Sequence, residues 1–105
     1  MEHYNLNDFI KGWFIGDFKP TLLNTTDFEI AIKRYKAGDT ETTHHHKVAT
    51  EYTIIVTGEV LMNMVKFKEN DIIVLHPGLA TDFQCLTDVV TVVVKTPSVK
   101  GDKYE

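Results

Sequence analysis

Three consecutive histidines are the residues in this 105-residue chain whose types and spacing most clearly offer chemistry: His44, His45 and His46. On an extended strand, side chains alternate between two faces, so His44 and His46 point the same way and His45 points oppositely. Glu51 follows His46 after four intervening residues, a spacing that allows a short turn and a return on the adjacent strand. Two imidazoles and one carboxylate suit a divalent metal with open coordination positions. The sequence therefore predicts a metal site at His44, His46 and Glu51.

The other histidines give weaker signals. A single histidine in a loop is more often a solvated side chain than a ligand, and we expect this of His45. His3 lies near the first residue of the chain, and no role is assigned to it. The predicted site therefore uses two of the five histidines as ligands.

The composition excludes several classes of protein. Eleven lysines and arginines against fifteen aspartates and glutamates give a net charge of −4 with no basic run, which argues against a nucleic-acid partner. Cys85 is the single cysteine, so an intramolecular disulfide is excluded and a reducing compartment is expected. The first residues do not read as a signal peptide, and no apolar run has the length of a membrane span. We expect a cytoplasmic protein with no membrane partner.

The rest of the chain predicts an all-β domain that positions these residues. Residues 1–27 are expected to form a packing arm or edge strand with one helical turn near residues 5–11. Residues 28–97 form the predicted barrel core, and the polar residues 98–105 a tail that frays. Segments rich in β-branched and aromatic residues alternate with turn residues. The predicted strands span residues 28–35, 49–56, 60–67, 72–75, 81–86 and 89–95.

The histidine cluster and its flanking glycines resemble a known motif. The residues of the match are Gly38, His44, His46, Glu51 and Gly58. Their spacing is the full first motif of the cupin superfamily, which this chain resembles over roughly residues 28–97. The resemblance implies a single cupin barrel, a double-stranded β-helix of the jelly-roll type with about eight strands. It also implies that the two histidines and the glutamate hold a divalent metal, with Fe, Mn, Ni and Zn as candidates.

The second motif of the family is only partly present. When the family's second motif is aligned on Gly78, its histidine, the fourth metal ligand, falls on Thr81 and its terminal asparagine on Cys85. His76 stands in place of the motif's first proline. Asn70 stands in place of its first glycine, a substitution that a positive φ tolerates. The fourth protein ligand of the family is therefore missing in its expected position.

Four arrangements remain open for the missing ligand. In the first, His44, His46, Glu51 and water hold the metal, and in the second, a nearby donor replaces the family's fourth histidine. In the third, the Thr81 hydroxyl forms a hydrogen bond to a metal-bound water or to a ligand, and in the fourth, no metal binds. The candidate replacements are His76, Asp82, Gln84 and Cys85. Strand alternation places Thr81, Phe83 and Cys85 on the inner face and Asp82 and Gln84 on the other. The predicted pocket is lined by Thr81, Cys85, Phe83 and His76.

The predicted strand after Glu51 is apolar on both of its faces. Tyr52, Ile54 and Val56 point away from the side on which Glu51 lies. Such an outer face needs a cover, either the aromatic arm of residues 9–18 or a second subunit. Small cupins form dimers through sheet faces of this kind, so the resemblance implies a homodimer.

Two classes of function fit these residues. In an enzyme, the metal polarises a carbonyl or alkoxide of a small polar metabolite, such as a sugar derivative or an organic acid. In a binding module, the barrel binds or senses a small molecule without turnover, with or without a metal. The resemblance does not choose between them, because one fold serves many activities.

Overall fold

Two antiparallel β-sheets that face each other make up the protein in the computed structural model, which describes all residues 1–105. A short 3-10 helix at Leu6–Asp8, capped by Asn5, is the helical turn expected near residues 5–11. No helix in the structure has the length and apolar character needed to span a membrane. The strands are β1 Trp13–Ile15, β2 Glu29–Tyr35, β3 Thr40–His44, β4 Thr50–Thr57, β5 Glu59–Met62, β6 Val65–Lys68, β7 Ile72–Leu75, β8 Thr81–Cys85 and β9 Val89–Thr96.

The strand order identifies the architecture. The first sheet has five strands in the order β1-β2-β9-β4-β7, and the second has four in the order β3-β8-β5-β6. From β2 to β9 the chain crosses from one sheet to the other at each connection, except at the β5–β6 hairpin. All the strand pairs are antiparallel. This is the jelly-roll arrangement of a double-stranded β-helix, so the predicted all-β class is confirmed.

The predicted strands agree with the observed ones within a few residues, with two exceptions. Residues 60–67 were predicted as one strand but form the β5–β6 hairpin. Asn63 and Met64 turn the chain there with positive φ angles of 49° and 66°. Asn63 is a turn residue that tolerates a positive φ, but Met64 is not, so the turn signal was weak and the prediction missed it. β3 was not among the predicted strands, because its residues are mostly polar.

The core lies between the two sheets. Strand β8 contributes Thr81, Phe83 and Cys85 to the inside, whereas Asp82 and Gln84 are more exposed, as the strand alternation predicted. Tyr35 packs its ring against Phe83, with centroids 5.0 Å apart. Packed apolar side chains therefore fill this part of the barrel. The buried cluster consists of Ile55, Val60, Met62, Ile73, Leu75, Phe83, Cys85 and Val89.

Two of the turns need a left-handed backbone. Gly58, between β4 and β5, has a φ of 95°, and an added Cβ would lie 2.2 Å from the carbonyl oxygen of Asp88. A side chain therefore has no space at this position. Asn70 has a φ of 74°, which agrees with its placement at a glycine of the second motif.

The C-terminal strap, residues 97–105, is anchored to the barrel. The prediction of a frayed tail is therefore wrong. The buried Ser98 hydroxyl accepts a hydrogen bond from the Asp17 N–H at 3.0 Å. Tyr104 exchanges two backbone hydrogen bonds with His45, at 2.8 and 2.9 Å. Asp102 is only 8% exposed. The strap was misread because its polar side chains satisfy the backbone of distant segments, which no local pattern reveals.

The N-terminal arm forms an edge of the five-stranded sheet. Trp13 of β1 stands opposite Ala31 of β2 in the strand register. Its ring packs edge-on against Phe18, with centroids 6.5 Å apart. The ammonium groups of Lys95 and Lys33 lie 5.0 and 5.6 Å from the Trp13 ring centroid. The arm therefore extends the sheet sideways and leaves the outer face of β4 and β7 uncovered.

Candidate functional site

The predicted ligands come together where β3 ends and β4 begins. His44 is the last residue of β3, and Glu51 is the second residue of β4. The rings of His44 and His46 lie with centroids 5.6 Å apart and planes at 74°. His44 also stands opposite Thr81 of β8 in the strand register. The structure thus places these four side chains in one region of the barrel.

His46 and Glu51 form a buried contact. The His46 Nε2 atom lies 3.2 Å from the Glu51 Oε1 atom, and the two side chains are 5% and 13% exposed. The other carboxylate oxygen of Glu51 accepts a hydrogen bond from the Thr53 hydroxyl at 3.0 Å. Both oxygens of Glu51 are therefore oriented, one toward the histidine and one toward its own strand.

Backbone carbonyls determine which nitrogen of each imidazole carries a proton. The Nδ1 atom of His46 is hydrogen-bonded to the carbonyl oxygen of Asp102. The Nδ1 atom of His44 lies 2.9 Å from the carbonyl oxygen of Thr42. A carbonyl oxygen only accepts, so both Nδ1 atoms donate and both neutral rings keep a lone pair on Nε2. Metal-binding histidines are oriented in the same way.

With the Nδ1 atom of His46 protonated, the contact between His46 and Glu51 is favourable only if a positive charge is present. When His46 is neutral, its Nε2 lone pair faces a carboxylate oxygen, and two acceptors repel each other. The contact becomes favourable when His46 takes up a second proton or when a cation binds between the two groups. The site is therefore built for a positive charge next to Glu51.

In mildly acidic solution, a second proton on His46 supplies this positive charge. The hydrogen bond to Glu51 raises the pKa of His46 above its ordinary value, against the opposing effect of burial. Burial acts to raise the pKa of Glu51, but the hydrogen bonds from His46 and Thr53 and the charge of Lys95 bring it below its ordinary value. Each partner thus stabilises the charged form of the other.

Asp102 of the C-terminal strap organises the turn that follows His46. Its carboxylate oxygens accept hydrogen bonds from the N–H groups of Lys47, Val48 and Ala49 at 2.8 to 3.3 Å. Burial acts to raise the pKa of Asp102, but these three donors hold it below its ordinary value. Sequence reasoning missed this residue, because 56 positions separate it from His46 and no motif connects them.

The predicted pocket residues are distributed over different parts of the structure. Thr81 is buried beside His44, and its hydroxyl donates to the carbonyl oxygen of Asp82 at 2.8 Å. Phe83 and Cys85 belong to the packed core and line neither the cavity enclosed by the C-terminal strap nor the cavity between the N-terminal arm and β2. Burial raises the pKa of the Cys85 thiol to about 11, so it stays a neutral thiol.

The loop between β7 and β8 reaches the site through its backbone. His76 is exposed at the start of this loop and lines neither of these two cavities. The Gly78 N–H donates to the carbonyl oxygen of His46 at 2.7 Å. Of the four predicted pocket residues, Thr81 stands opposite His44 in the strand register, Phe83 and Cys85 belong to the packed core, and His76 is exposed.

The donor set suits a divalent metal, although the side chains do not enclose one. No group of three or more histidine, cysteine, aspartate or glutamate side chains is close enough to hold an ion. The Nε2 atom of His46 and the carboxylate of Glu51 already converge, and His44 has its Nε2 atom available. Two of the three predicted donors are therefore in direct contact, and the His44 ring lies with its centroid 5.6 Å from that of His46.

A cavity of about 380 Å³ adjoins the His46–Glu51 pair. The N-terminal arm, the start of β2, the end of β9 and the C-terminal strap enclose it. Its wall includes Asp102, whose carbonyl contacts His46, and Lys95, which stands opposite Glu51 in the strand register. The His46 and Glu51 side chains do not line the cavity. We name it the strap cavity.

A row of charged residues runs across the inner face of the first sheet beside this cavity. Glu29 of β2 stands opposite Lys95 of β9, which stands opposite Glu51 of β4. Burial raises the pKa of Glu29, although the nearby Lys95 opposes this effect. Sequence reasoning missed Glu29 and Lys95. Their signal was available in the strand alternation, because Glu29 shares a face with the buried Ala31 and Lys95 shares a face with the buried Val93.

Comparison with known proteins gives the class of the fold. No protein-family model matches the sequence, and no curated protein matches it. Among solved structures, a Klebsiella pneumoniae protein with a double-stranded β-helix domain has a TM-score of 0.70 at 17% identity, with 94% of this chain and 87% of that chain covered. KdgF from Halomonas sp. has a TM-score of 0.65 at 18% identity, with 71% and 74% covered.

A third similar structure belongs explicitly to the cupin superfamily. It is a sugar phosphate isomerase from Silicibacter pomeroyi, with a TM-score of 0.60 at 16% identity, covering 69% of this chain and 52% of that chain. Similarity at such low identity establishes the fold. Together with the strand order, it shows that this chain has the cupin fold, the double-stranded β-helix, as its first motif indicated.

Proposed function

We propose that this protein is a small metal-binding cupin that binds or converts a small polar metabolite. His44, His46 and Glu51 hold a divalent cation in this proposal, with Fe, Mn, Ni and Zn as candidates. The observation that carries it is the tautomer of the two histidines. Both Nδ1 atoms are bonded to backbone carbonyls, so both Nε2 lone pairs are available and one faces a carboxylate.

Residues around the three donors hold them in place for this role. The Asp102 carbonyl orients the His46 ring, and the Thr53 hydroxyl orients the Glu51 carboxylate. Thr81, at the position of the family's fourth ligand, lies beside His44 and leaves coordination positions open for water or a ligand. A divalent metal bound there would supply Lewis acidity toward a carbonyl or hydroxyl oxygen.

The class of ligand is supported by the similar structures. The Silicibacter pomeroyi protein is a sugar phosphate isomerase, and another, CapF from Staphylococcus aureus, is a capsular polysaccharide assembling protein. Both descriptions concern carbohydrate chemistry. A sugar derivative or an organic acid is therefore the metabolite class that we propose for this chain.

Elemental analysis of natively purified protein, without nickel affinity media, tests the metal site. We expect about one divalent ion per chain in the wild type and a loss of about tenfold or more in His44→Ala and Glu51→Gln, because each change removes a ligand. The exposed His76→Ala variant serves as the control and should keep its metal. Equal metal content in all four proteins would refute the assignment.

A second candidate function is a metal-free module that binds or senses a small molecule without turnover. The direct 3.2 Å contact between His46 and Glu51 favours it, because one proton satisfies that contact. This candidate predicts no metal in the native wild-type protein. It also predicts ligand binding without product formation over a metabolite panel, whereas an iron oxygenase would consume oxygen.

We also propose that the protein forms a homodimer through the outer face of the five-stranded sheet. Tyr52 of β4 and Val74 of β7 stand side by side there, 39% and 40% exposed. Ile72, in the next row of the same face, is 63% exposed. A contiguous apolar face of this kind is typical of an interface, and the N-terminal arm does not cover it.

Light scattering at micromolar concentration tests the dimer. We expect twice the mass of one chain for the wild type and the mass of a single chain for Val74→Lys, because a lysine ammonium would be buried without a partner. Val65→Lys on β6 is the matched control, since Val65 is also exposed but belongs to the other sheet. A monomeric wild type would exclude the dimer.

We propose the cytoplasm as the location of the protein. The single cysteine, Cys85, is a free and buried thiol in the core. A fold that rests on packing and keeps its thiol reduced is compatible with a reducing compartment.

A further inference from the structure

We infer that the strap cavity binds a small organic anion, with the anionic group on the Lys95 ammonium and the ring or apolar body of the ligand against Trp13. This inference deepens the proposed function by giving the charge class of its ligand, and it rests on that function for the link between the cavity and the metal site. The anion-binding step itself requires no metal.

The first argument is the balance of charge around the cavity. Two of the carboxylates are already engaged: Asp17 lies 3.8 Å from the Lys100 ammonium, and Asp102 accepts three backbone N–H groups. Glu29 is the remaining carboxylate, and its burial disfavours the charged form. The lysines of the wall that have no carboxylate within 4.0 Å are Lys19, Lys95 and Lys103.

This local excess of positive charge is opposite to the charge of the whole chain. The sequence has a net charge of −4, so a surface chosen at random would more often be acidic. Three unpaired lysine ammonium groups around one concave site lower the free energy of a bound anion. With Asp102 ionised, the wall still has four lysines against three carboxylates, and this small positive balance favours an anion.

The second argument is the position of Lys95. Its neighbours in the strand register are Glu29 and Glu51, yet its ammonium makes no ion pair with either. The ammonium instead lies 5.0 Å from the centroid of the Trp13 ring. Lysine normally has its ammonium in water or on a carboxylate, so a position over an aromatic ring at a cavity wall leaves its hydrogen-bond donors free for a ligand.

The third argument is the size and the lining of the cavity. Its volume of about 380 Å³ falls within the range of small-molecule sites. Trp13, Phe18 and Val99 provide apolar wall, while Ser98 provides a polar group. Seven of the fifteen wall residues are charged and five are hydrophobic, so the wall offers charged groups for orienting a ligand beside an apolar surface for its body. The C-terminal strap closes one side of it.

Because Lys95 adjoins Glu51 in the register and Asp102 contacts His46, the cavity leads toward the proposed metal site. An anion held on Lys95 therefore lies on the side of the cavity nearest the His46–Glu51 pair, with the rest of the ligand against Trp13, while the His46 and Glu51 side chains stay outside the cavity wall. This arrangement gives Lys95 the role of the residue that selects the ligand's charge.

Trp13 is the single tryptophan, so its indole N–H resonance reports directly on the cavity. We propose titrations of the full-length protein, followed by NMR, with two matched pairs: benzoate and benzamide, and glucuronate and glucose. Each pair keeps the body of the probe and changes its charge. We expect the anions to shift the Trp13 resonance at concentrations about tenfold or more below those of the neutral partners. The pair with the larger difference identifies the body, aromatic or sugar-like.

The Lys95→Met variant keeps the apolar stem and removes the charge. It should lose the preference for the anion while it keeps its response to the neutral probe. Lys66→Met is the matched control, because Lys66 is an exposed lysine on β6, paired with Glu59 at 3.2 Å and far from the cavity wall. Its preference should equal that of the wild type.

Three outcomes would overturn the inference: no shift of the Trp13 resonance, equal affinity for the charged and the neutral probes, or an unchanged preference in Lys95→Met. The titrations are run with a chelator and again with added Zn²⁺. Anion binding that persists in the chelator supports the inference even if the metal site fails. Anion binding that needs Zn²⁺ and does not depend on Lys95 would assign the anion to the metal and overturn it.

Discussion

Replacing Asp102 by alanine is expected to lower the free energy of unfolding by about 3 to 5 kcal/mol, measured by urea denaturation at neutral pH. The buried carboxylate accepts hydrogen bonds from the N–H groups of Lys47, Val48 and Ala49. Without it, three backbone donors lose their partners and the C-terminal strap loses its central attachment. A hydrogen bond to a charged acceptor contributes about 1.5 to 3 kcal/mol, and three that share one acceptor add less than their sum.

Two further variants keep this prediction specific. Asp102→Asn retains one acceptor oxygen and should fall between the wild type and the alanine variant. Asp39→Ala removes an exposed carboxylate that accepts one N–H group, that of Lys36 at 2.8 Å, and should cost at most about 1 kcal/mol. If Asp102→Ala costs no more than Asp39→Ala, then the strap does not hold the turn after His46.

The Glu51→Gln variant is expected to be less stable than the wild type by about 3 kcal/mol near pH 5.5, with a difference that vanishes toward pH 9. The substitution removes the carboxylate that stabilises a buried imidazolium at His46. A buried charge that loses its partner is strongly destabilising. Urea unfolding across this pH range, with a chelator to exclude metal, measures the difference.

The direction of this pH dependence follows from the two pKa shifts. Because the pKa of His46 is raised, its contribution to stability is present below the ordinary value of 6.5 and is lost as the pH rises through the folded value. Because the pKa of Glu51 is lowered, its contribution is present above the ordinary value of 4.5 and is lost as the pH falls through the folded value. The pair therefore stabilises the fold most between those two ordinary values.

An exposed pair provides the comparison. Glu59 lies 3.2 Å from Lys66, and both side chains are more than 40% exposed. Glu59→Gln should change the free energy of unfolding by less than about 1 kcal/mol, with no dependence on pH above 6. A Glu51→Gln difference that stays constant from pH 5.5 to about 9 would show that His46 does not titrate against Glu51.

These two predictions concern one small region in which two distant parts of the sequence meet. The motif and the strand β4 within it supply His46, Glu51 and Thr53, and the C-terminal strap supplies Asp102. The Asp102 carbonyl orients the His46 ring, and the Thr53 hydroxyl orients the Glu51 carboxylate. A substitution in the strap is therefore expected to affect the motif even though no family pattern includes the strap.

Much of the fold was predictable from the sequence, because it depends on local patterns. Segments rich in β-branched and aromatic residues between turn residues located most strands, and the alternation of side chains along a strand assigned Thr81, Phe83 and Cys85 to the inside of β8. The β5–β6 hairpin was missed, since its turn uses Asn63 and Met64 where the sequence rules expect glycine. The sequence rules thus predicted strands and turns correctly where the residue types favour that one conformation strongly.

The site was predictable only in part. Motif spacing selected His44, His46 and Glu51, and the structure places them in one region. It also implied a pocket of Thr81, Cys85, Phe83 and His76, of which Thr81 stands opposite His44, whereas Phe83 and Cys85 belong to the packed core. The spacing of a motif specifies which residues face inward, but the packing of the barrel decides whether that interior is open or filled.

The sequence by itself determined the all-β class, the faces of the strands and the histidine motif, because each is a relation between residues close in the chain. Only the tertiary structure decided that Asp102 holds His46 and the turn after it, and that Lys95 turns to Trp13 at a cavity wall. These contacts join segments tens of residues apart, and hydrogen bonds and charges act over distances in space, whatever the separation along the chain.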